Sequence, residues 1–129
     1  MKQDHKTLTA GETQVMNLLW SMPKSQARSA ELMAAHPTPK PALTTLLTFL
    51  KILKQKGFVK TRKEQGKPTL FMASVSKEQY TGSFLHAVKD TLFDGSFSSL
   101  VSAFAAHETL TEQDIQELKA LVGKLTSNP

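Results

Sequence analysis

Residues 39–68 of this 129-residue chain read PKPALTTLLTFLKILKQKGFVKTRKEQGKP. Leucines recur at helical spacing from Leu43 to Leu53, and Gly57 is typical of a residue that closes a helix. We therefore predict a helix that has Pro41 in its first turn, where the missing N–H costs nothing. One stripe of this helix is expected to be buried, and it consists of Leu43, Leu46, Leu47, Leu50 and Leu53.

The other side of this predicted helix is polar. Thr44, Thr48, Lys51 and Gln55 fall at positions i, i+4, i+7 and i+11, and Thr45 lies beside them. Thr is a mediocre helix former, so several on one exposed stripe favour a functional explanation. In a DNA major groove, Thr hydroxyls contact phosphates or base edges, and Thr methyls contact thymine methyls. The alternative is a surface helix whose threonines have no function.

Two shorter helices and a hairpin are predicted around this segment. A capping box of Thr9 and Glu12 starts the first helix, about Ala10–Trp20, and Ser29 is expected to cap the second. Strand patterns at residues 58–62 and 69–73, joined by a turn that contains a glycine, predict a two-stranded hairpin. Three helices followed by a hairpin are the order of a winged helix-turn-helix, which we assign to residues 1–75.

The remaining segment, residues 76–129, predicts three amphipathic helices, the first of them opened by a capping box of Ser76 and Gln79. So short a segment rarely supports a core alone, so we expect it to pair with its copy in a second chain. The fold class is thus mostly α with a small β-hairpin, an N-terminal winged helix-turn-helix followed by a C-terminal three-helix dimerisation segment. The expected dimer interface consists of Phe84, Leu85, Val88, Leu92, Phe97, Leu100, Val101, Phe104, Ile115, Leu118, Val122 and Leu125.

The net charge of +5 is unevenly distributed along the chain. Residues 37–75 carry eight Lys and Arg against Glu64 alone, whereas residues 1–36 have a net charge of +1 and residues 76–129 of −3. A basic block of this kind is typical of an element that binds a polyanion. A solvated basic face, a module that binds an acidic protein partner and a nonspecific architectural DNA binder are the alternatives. The predicted DNA-binding residues are Lys40, Thr44, Thr45, Thr48, Lys51, Arg62, Lys63 and Lys67.

Motifs for catalysis and metal binding are missing from the sequence. It has no HExxH, Gly-rich phosphate loop or GxSxG, and no cysteine for a disulfide or a thiolate metal site. The four histidines have no second ligand at a coordinating interval. We therefore expect no enzyme activity, no cofactor and no metal. With no signal-peptide core and no apolar run that could cross a bilayer, a cytoplasmic protein without membrane insertion is expected.

Two stretches, TAGETQVMNLLW at residues 9–20 and TPKPALTTLLTFLKILKQKGFV at residues 38–59, carry a family resemblance. Together with the three terminal helices, they resemble the penicillinase-repressor family of bacterial transcriptional regulators (BlaI/MecI/CopY type) from about Leu8 to about Leu125. The resemblance implies a homodimer that binds a pseudo-palindromic operator in double-stranded DNA. It also implies repression of antibiotic-resistance genes, as for β-lactams, and of the repressor's own operon. The resemblance, not the residues themselves, favours repression over activation.

In that family, a membrane sensor with a zinc-protease domain triggers cleavage of the repressor in its dimerisation region. The resemblance thus implies that repression is relieved by such cleavage or by loosening of the dimer. The resemblance places the cleavage segment around Ser102, Ala103 and Phe104, although the best-known members have Asn where this chain has Ala103. The copper-responsive branch carries a C-terminal cluster of cysteines. Because this chain has none, copper sensing through thiolates is excluded.

Overall fold

The structure of the protein is a computed structural model that describes residues 7–126. This part of the chain is mostly helical and carries one small antiparallel sheet, so the predicted fold class is confirmed. The helices are α1 (Ala10–Ser21), α2 (Ser29–Ala35), α3 (Leu43–Gln55), α4 (Lys77–Leu92), α5 (Phe97–His107) and α6 (Glu112–Thr126). The strands are β1 (Gln26–Arg28), β2 (Val59–Arg62) and β3 (Leu70–Ala73).

The predicted hairpin is part of a three-stranded sheet with the order β1-β3-β2. Leu70 of the central strand pairs with Arg62 of β2 on one side and with Arg28 of β1 on the other. The sequence did not predict β1, because three residues are too few for an alternating pattern to be recognised. This strand immediately precedes α2, so it joins the wing hairpin (β2, β3 and the turn between them) to the helix-turn-helix.

Both predicted capping boxes are confirmed. At the start of α1, the backbone N–H of Glu12 donates to Thr9 Oγ1 at 3.2 Å, and the N–H of Thr9 donates to Glu12 Oε1 at 3.0 Å. At the start of α4, the N–H of Gln79 donates to Ser76 Oγ at 3.0 Å, and the N–H of Ser76 donates to Gln79 Oε1 at 2.9 Å. Each box satisfies two backbone donors that would otherwise lack a partner.

The other two predicted helix starts in the N-terminal half are wrong. Ser29 is the first residue of α2, and the cap position belongs to Arg28, whose backbone N–H donates to Glu31 Oε1 at 2.7 Å. Pro41 lies before α3 rather than in its first turn. The cap of α3 is Ala42, which is still extended at φ −66° and ψ 152°. The chain therefore enters the helix only after the proline-rich connection has ended.

The core of the N-terminal half lies between α1, α2, α3 and the sheet. The largest fully buried side chains are Val15, Met16 and Leu19 of α1, Leu32 of α2, and Leu46, Leu50 and Leu53 of α3. Leu43 and Leu47 were predicted to be buried with them, and that prediction is wrong, because they are 48% and 39% exposed. At 100° per residue, Leu47 lies about a quarter turn from the centre of the buried stripe. Leu43 is the first residue of α3, so no earlier turn of the helix lies beside it.

The chain divides into two compact units within α4, between Leu85 and His86. The first part of α4 belongs to the N-terminal unit because the ring of Tyr80 packs there. Its centroid lies 5.4 Å from that of Phe58, edge to face, and 6.2 Å from that of Trp20. This division lies ten residues after the predicted domain boundary at residue 75. The assignment of domains remains a prediction.

The second unit contains the end of α4 together with α5 and α6. Ser96 Oγ accepts from the N–H of Ser99 at 3.1 Å at the start of α5, and Thr111 Oγ1 accepts from the N–H of Asp114 at 3.0 Å at the start of α6. Between residues 86 and 125, no side chain is buried. The helices of this unit are thus well capped but have no closed core within one chain.

Candidate nucleic-acid interface

The polar face of α3 is exposed as predicted from its spacing. Thr44, Thr45, Thr48 and Lys51 are all exposed. Thr48 Oγ1 donates to the backbone carbonyl of Thr44 at 2.9 Å. Because that bond uses the only hydroxyl hydrogen, Thr48 presents an acceptor oxygen and a methyl group to its surroundings. Such a group suits the amino group of a base or the methyl of thymine in a major groove.

Two apolar side chains that sequence reasoning assigned to the core belong to this exposed surface. Leu43 and Leu47 lie one turn apart in the same half of the helix as Thr44 and Thr48. The signal that identifies Leu47 is its angular position, about a quarter turn from the stripe of Leu46, Leu50 and Leu53. The signal for Leu43 is its place at the very start of the helix.

Two cations of the wing hairpin, together with Arg28 of β1, surround one carboxylate. Glu64 Oε1 lies 2.6 Å from Arg28 Nη2 and 3.9 Å from Lys67 Nζ, and Glu64 Oε2 lies 3.4 Å from Arg62 Nη2. Two of the predicted DNA-binding residues are therefore partly neutralised by Glu64. Lys63 is exposed and forms no ion pair with any residue of the described chain.

Arg28 is a member of this cluster that sequence reasoning missed. Its guanidinium donates to Glu64 and, through Nε, to the carbonyl of Pro68 at 3.2 Å. Arg28 reaches the wing because β1 pairs with β3, a pairing across about 40 residues. Because the sequence does not predict β1, it also does not predict that Arg28 lies beside the wing hairpin.

Lys40 lies in a different environment from the one expected of a phosphate contact. Its ammonium donates to the backbone carbonyls of Met33 at 2.7 Å, Ala34 at 3.2 Å and His36 at 2.6 Å. These are carbonyls at the C-terminus of α2, where a cation is stabilised by the helix dipole. Since all three ammonium hydrogens are in use, a phosphate contact from Lys40 would require some of these bonds to break.

Not every cation of the basic segment contributes to its surface charge. Lys56 Nζ lies 2.6 Å from Glu12 Oε1 and donates to the carbonyl of Thr7 at 3.3 Å. Burial raises the pKa of Glu12, but the hydrogen bonds from Lys56 and from the Thr9 backbone, together with the charge of Lys56, outweigh it. The pKa of Glu12 is therefore lowered from its ordinary value. The charge of Lys56 is thus largely neutralised within the fold.

Between residues 7 and 126, no three His, Cys, Asp or Glu side chains form a cluster able to bind a metal ion. His36 is buried, and its Nδ1 lies 2.8 Å from the carbonyl oxygen of Pro37. Over the same residues, no helix combines the length and the apolar character needed to cross a membrane.

Comparison with known proteins assigns this arrangement to a family. A sequence profile of the penicillinase repressor family matches residues 8–124. The chain belongs to the penicillinase repressor family. Members of this family are DNA-binding transcriptional regulators and not enzymes. The resemblance predicted from residues 9–20 and 38–59 is therefore confirmed.

Curated relatives agree with this assignment over almost the whole chain. The methicillin resistance regulatory protein MecI of Staphylococcus aureus (strain N315) is 28% identical over 126 residues, which cover 94% of this chain and 98% of the relative. MecI of Mammaliicoccus sciuri is 26% identical over 125 residues, with the same coverage. As a member of the penicillinase repressor family, the chain is a transcriptional repressor with a winged helix-turn-helix.

Proposed function

We propose that this chain acts as a homodimer that represses transcription by occupying a pseudo-palindromic operator in double-stranded DNA. The observation that carries the proposal is the exposed face of α3, which presents Thr44, Thr45, Thr48 and Lys51 within a segment of net charge +7. In helix-turn-helix proteins, the N-terminal part of the recognition helix enters the major groove. The three threonines lie in that part of α3, and Lys51 follows one turn later, where it can reach a phosphate.

The wing hairpin extends the contact along the DNA backbone in this proposal. Lys63 and Lys67 lie in the turn between β2 and β3, and Arg62 ends β2; all three are exposed. Phosphate contacts from Lys and Arg supply affinity for any duplex, and they weaken steeply as salt is added. The wing thus provides affinity and orientation, whereas α3 selects the sequence.

Pairing of the C-terminal helices supplies the dimer. Of the expected interface residues, Val88 and Leu100 are half-buried within the chain and all the others are exposed. Leu92 and Phe97 are 73% and 69% exposed. So much apolar surface favours burial against a second copy. Two linked half-site contacts then raise avidity without any new contact to the DNA.

The names of the relatives support a proposal for the regulated operon, and the exposure of α5 supports one for the relief of repression. The relatives are named as methicillin resistance regulators, and these names support control of a β-lactam-type resistance operon. We place the repressor itself in the cytoplasm. We place the release step in α5, where a protease activated by a membrane sensor would cut between Ala103 and Phe104. Phe104 is 57% exposed, and α5 contains no buried residue, so opening this helix costs little. The product to seek in induced cells is a fragment that ends at Ala103.

The first test measures binding of the full chain to DNA upstream of its own gene and to a scrambled duplex of equal length. At physiological salt, we expect a difference on the order of 10³-fold or more. The triple variant in which Ala replaces Thr44, Thr45 and Thr48 should lose most of this difference in affinity, because each specific contact contributes about 1–3 kcal/mol. Thr91→Ala is the matched control, because Thr91 Oγ1 also donates to the carbonyl four residues earlier, at 2.6 Å from Ala87.

Other outcomes of this test favour other functions. Equal and strongly salt-dependent binding to both duplexes would indicate a nonspecific DNA binder. Absence of binding to either duplex would favour an acidic protein partner instead. In both cases the proposed function would be wrong.

The second test concerns the dimer. Leu118→Asp places a charge on the expected interface, so sedimentation of the full chain should change from dimer to monomer. Operator affinity should fall by about 10²-fold or more, because avidity is lost. Gln116→Asp introduces the same side chain on the same helix outside the expected interface, and it should leave both properties unchanged. A monomeric wild-type chain that binds its operator tightly would contradict the proposal.

A further inference from the structure

Two exposed leucines interrupt the polar surface of α3. Leu43 is 48% exposed and Leu47 is 39% exposed. Among the described residues up to Ser76, they are the only large apolar side chains that are this exposed. Residues four apart on a helix are neighbours on its surface, so the two leucines form one apolar patch. Neither belongs to the buried core of the N-terminal unit.

The surroundings of this patch limit what can cover it. Thr44 and Thr48 follow the two leucines directly in the sequence, and Lys51 and Lys54 lie on the next turns of the same helix. A patch bordered by cations and hydroxyls is a poor match for a broad apolar protein surface. It suits a polyanion that carries small apolar groups, which describes the major groove of DNA where thymine presents its C5 methyl.

We propose that Leu43 and Leu47 contact thymine methyl groups in the major groove and make the protein select thymine in each half-site. This inference rests on the proposed function, because it requires α3 to enter the groove. Burial of one methyl group contributes about 0.8 kcal/mol, which is a factor of about four in affinity. Two contacted methyls in each half-site of a dimer would then multiply to a factor of about 250.

Thr48 and the two leucines of α3 contact different groups of the bases in this proposal. Thr48 has committed its hydroxyl hydrogen to Thr44, so its oxygen accepts from base amino groups. The leucines read the one feature of the groove that hydrogen bonds do not detect, the thymine methyl. An apolar contact also penalises a cytosine at the same position, since cytosine lacks the methyl and its amino group would lose water without gaining a partner.

The experiment replaces thymine with deoxyuridine, which pairs in the same way but has no methyl group. Duplexes are first selected from a random-sequence library with the full chain at physiological salt. The enriched duplex is then synthesised with deoxyuridine at each thymine in turn. At the contacted positions we expect about fourfold weaker binding. Leu43→Ala and Leu47→Ala should each bind the thymine duplex more weakly and should each lose the effect of deoxyuridine at one position.

Two controls keep the result interpretable. Leu110→Ala truncates a leucine of similar exposure, 38%, outside α3, and it should retain the full effect of deoxyuridine. Circular dichroism of the two α3 variants should match the wild type, because neither leucine is part of the core.

Each remaining outcome contradicts the inference. Equal affinity for the thymine and deoxyuridine duplexes would overturn it while leaving sequence-specific binding in place. An effect of deoxyuridine that persists in both leucine variants would assign the methyl contact to another residue, and the proposed role of the leucines would be wrong. Failure to enrich any duplex would remove the proposed function and this inference together.

Discussion

Arg28 and Glu64 join the start of α2 to the turn of the wing hairpin. Arg28 Nη2 donates to Glu64 Oε1 at 2.6 Å, and the side chains are 27% and 34% exposed. An ion pair this accessible contributes little to stability, about 1 kcal/mol or less. Its effect on the surface charge is larger, because Glu64 is the only acidic residue between positions 37 and 75. Glu64 thus adds little to the stability of the wing but reduces the attraction of the wing for phosphates.

Glu64→Gln should therefore strengthen binding to any duplex. The variant leaves Arg28, Arg62 and Lys67 without their shared counter-charge, so they become available to phosphates. We expect a similar ratio of specific to nonspecific affinity, because phosphate contacts act on any duplex, and a salt dependence steeper by about 0.9 for each added phosphate contact. The measurement is a salt titration with a scrambled duplex. Glu78→Gln, which changes the net charge equally in α4, is the control, and an equal gain in both variants would contradict the role of Glu64.

The features that sequence reasoning predicted well are local ones. The two capping boxes depend on side chains three residues apart, so their partners are fixed once the helix starts. Thr44, Thr48 and Lys51 were placed on an exposed face by the same argument, because the helical period alone brings them together.

The features that the sequence did not predict depend on distant partners or on the exact phase of a helix. Strand β1 forms only because β3 lies beside it, and the ion pair of Arg28 follows from that pairing. The helical spacing of Leu43 and Leu47 is compatible with a buried position and with an exposed one. Their exposure is decided by which face α3 turns to α1 and α2. Lys40 and Lys56 count as surface charges in the sequence, yet each is bound within the fold.

The buried pair of Glu12 and Lys56 predicts a dependence of stability on pH. Because the pKa of Glu12 is lowered in the folded state, its contribution is complete above the ordinary value of 4.5 and is lost as the pH falls through the lowered value. Urea unfolding of the wild type and of Glu12→Gln should show a difference in unfolding free energy that shrinks as the pH falls below about 4. A difference that does not vary with pH would contradict this assignment.

Lys56→Met tests the same pair from the other side. The variant leaves the carboxylate of Glu12, a residue that is 4% exposed, with the hydrogen bond from the Thr9 backbone N–H. We expect a loss of about 2 kcal/mol in the free energy of unfolding near neutral pH, less than for a fully buried pair because Lys56 is partly exposed. Lys77→Met removes an exposed cation at the start of α4, outside the proposed DNA-binding surface, and is the control. Operator binding of the two variants should be similar.

Tyr80 attaches the first part of α4 to the winged helix by its hydroxyl as well as its ring. The backbone N–H of Leu8 donates to Tyr80 Oη at 3.0 Å. Tyr80→Phe removes only the acceptor, so we expect a loss of about 1 kcal/mol in the free energy of unfolding. Chemical denaturation of the full chain measures it. An unchanged stability would mean that water replaces the hydroxyl at this site without cost.

Truncation after residue 85 or after residue 75 should separate the winged helix from the dimer. The longer fragment retains the contacts of Tyr80 with Phe58 and Trp20, whereas the shorter one exposes them. We expect the shorter fragment to be less stable by about 3 kcal/mol or more, the usual cost of removing a large aromatic side chain from a core. The longer fragment should fold as a monomer and bind the operator at least about 10²-fold more weakly than the full chain, because it has lost the second half-site contact. Tight binding by that monomer would show that the dimer is not needed for recognition, and equal stability of the two fragments would show that Tyr80 does not belong to the N-terminal unit.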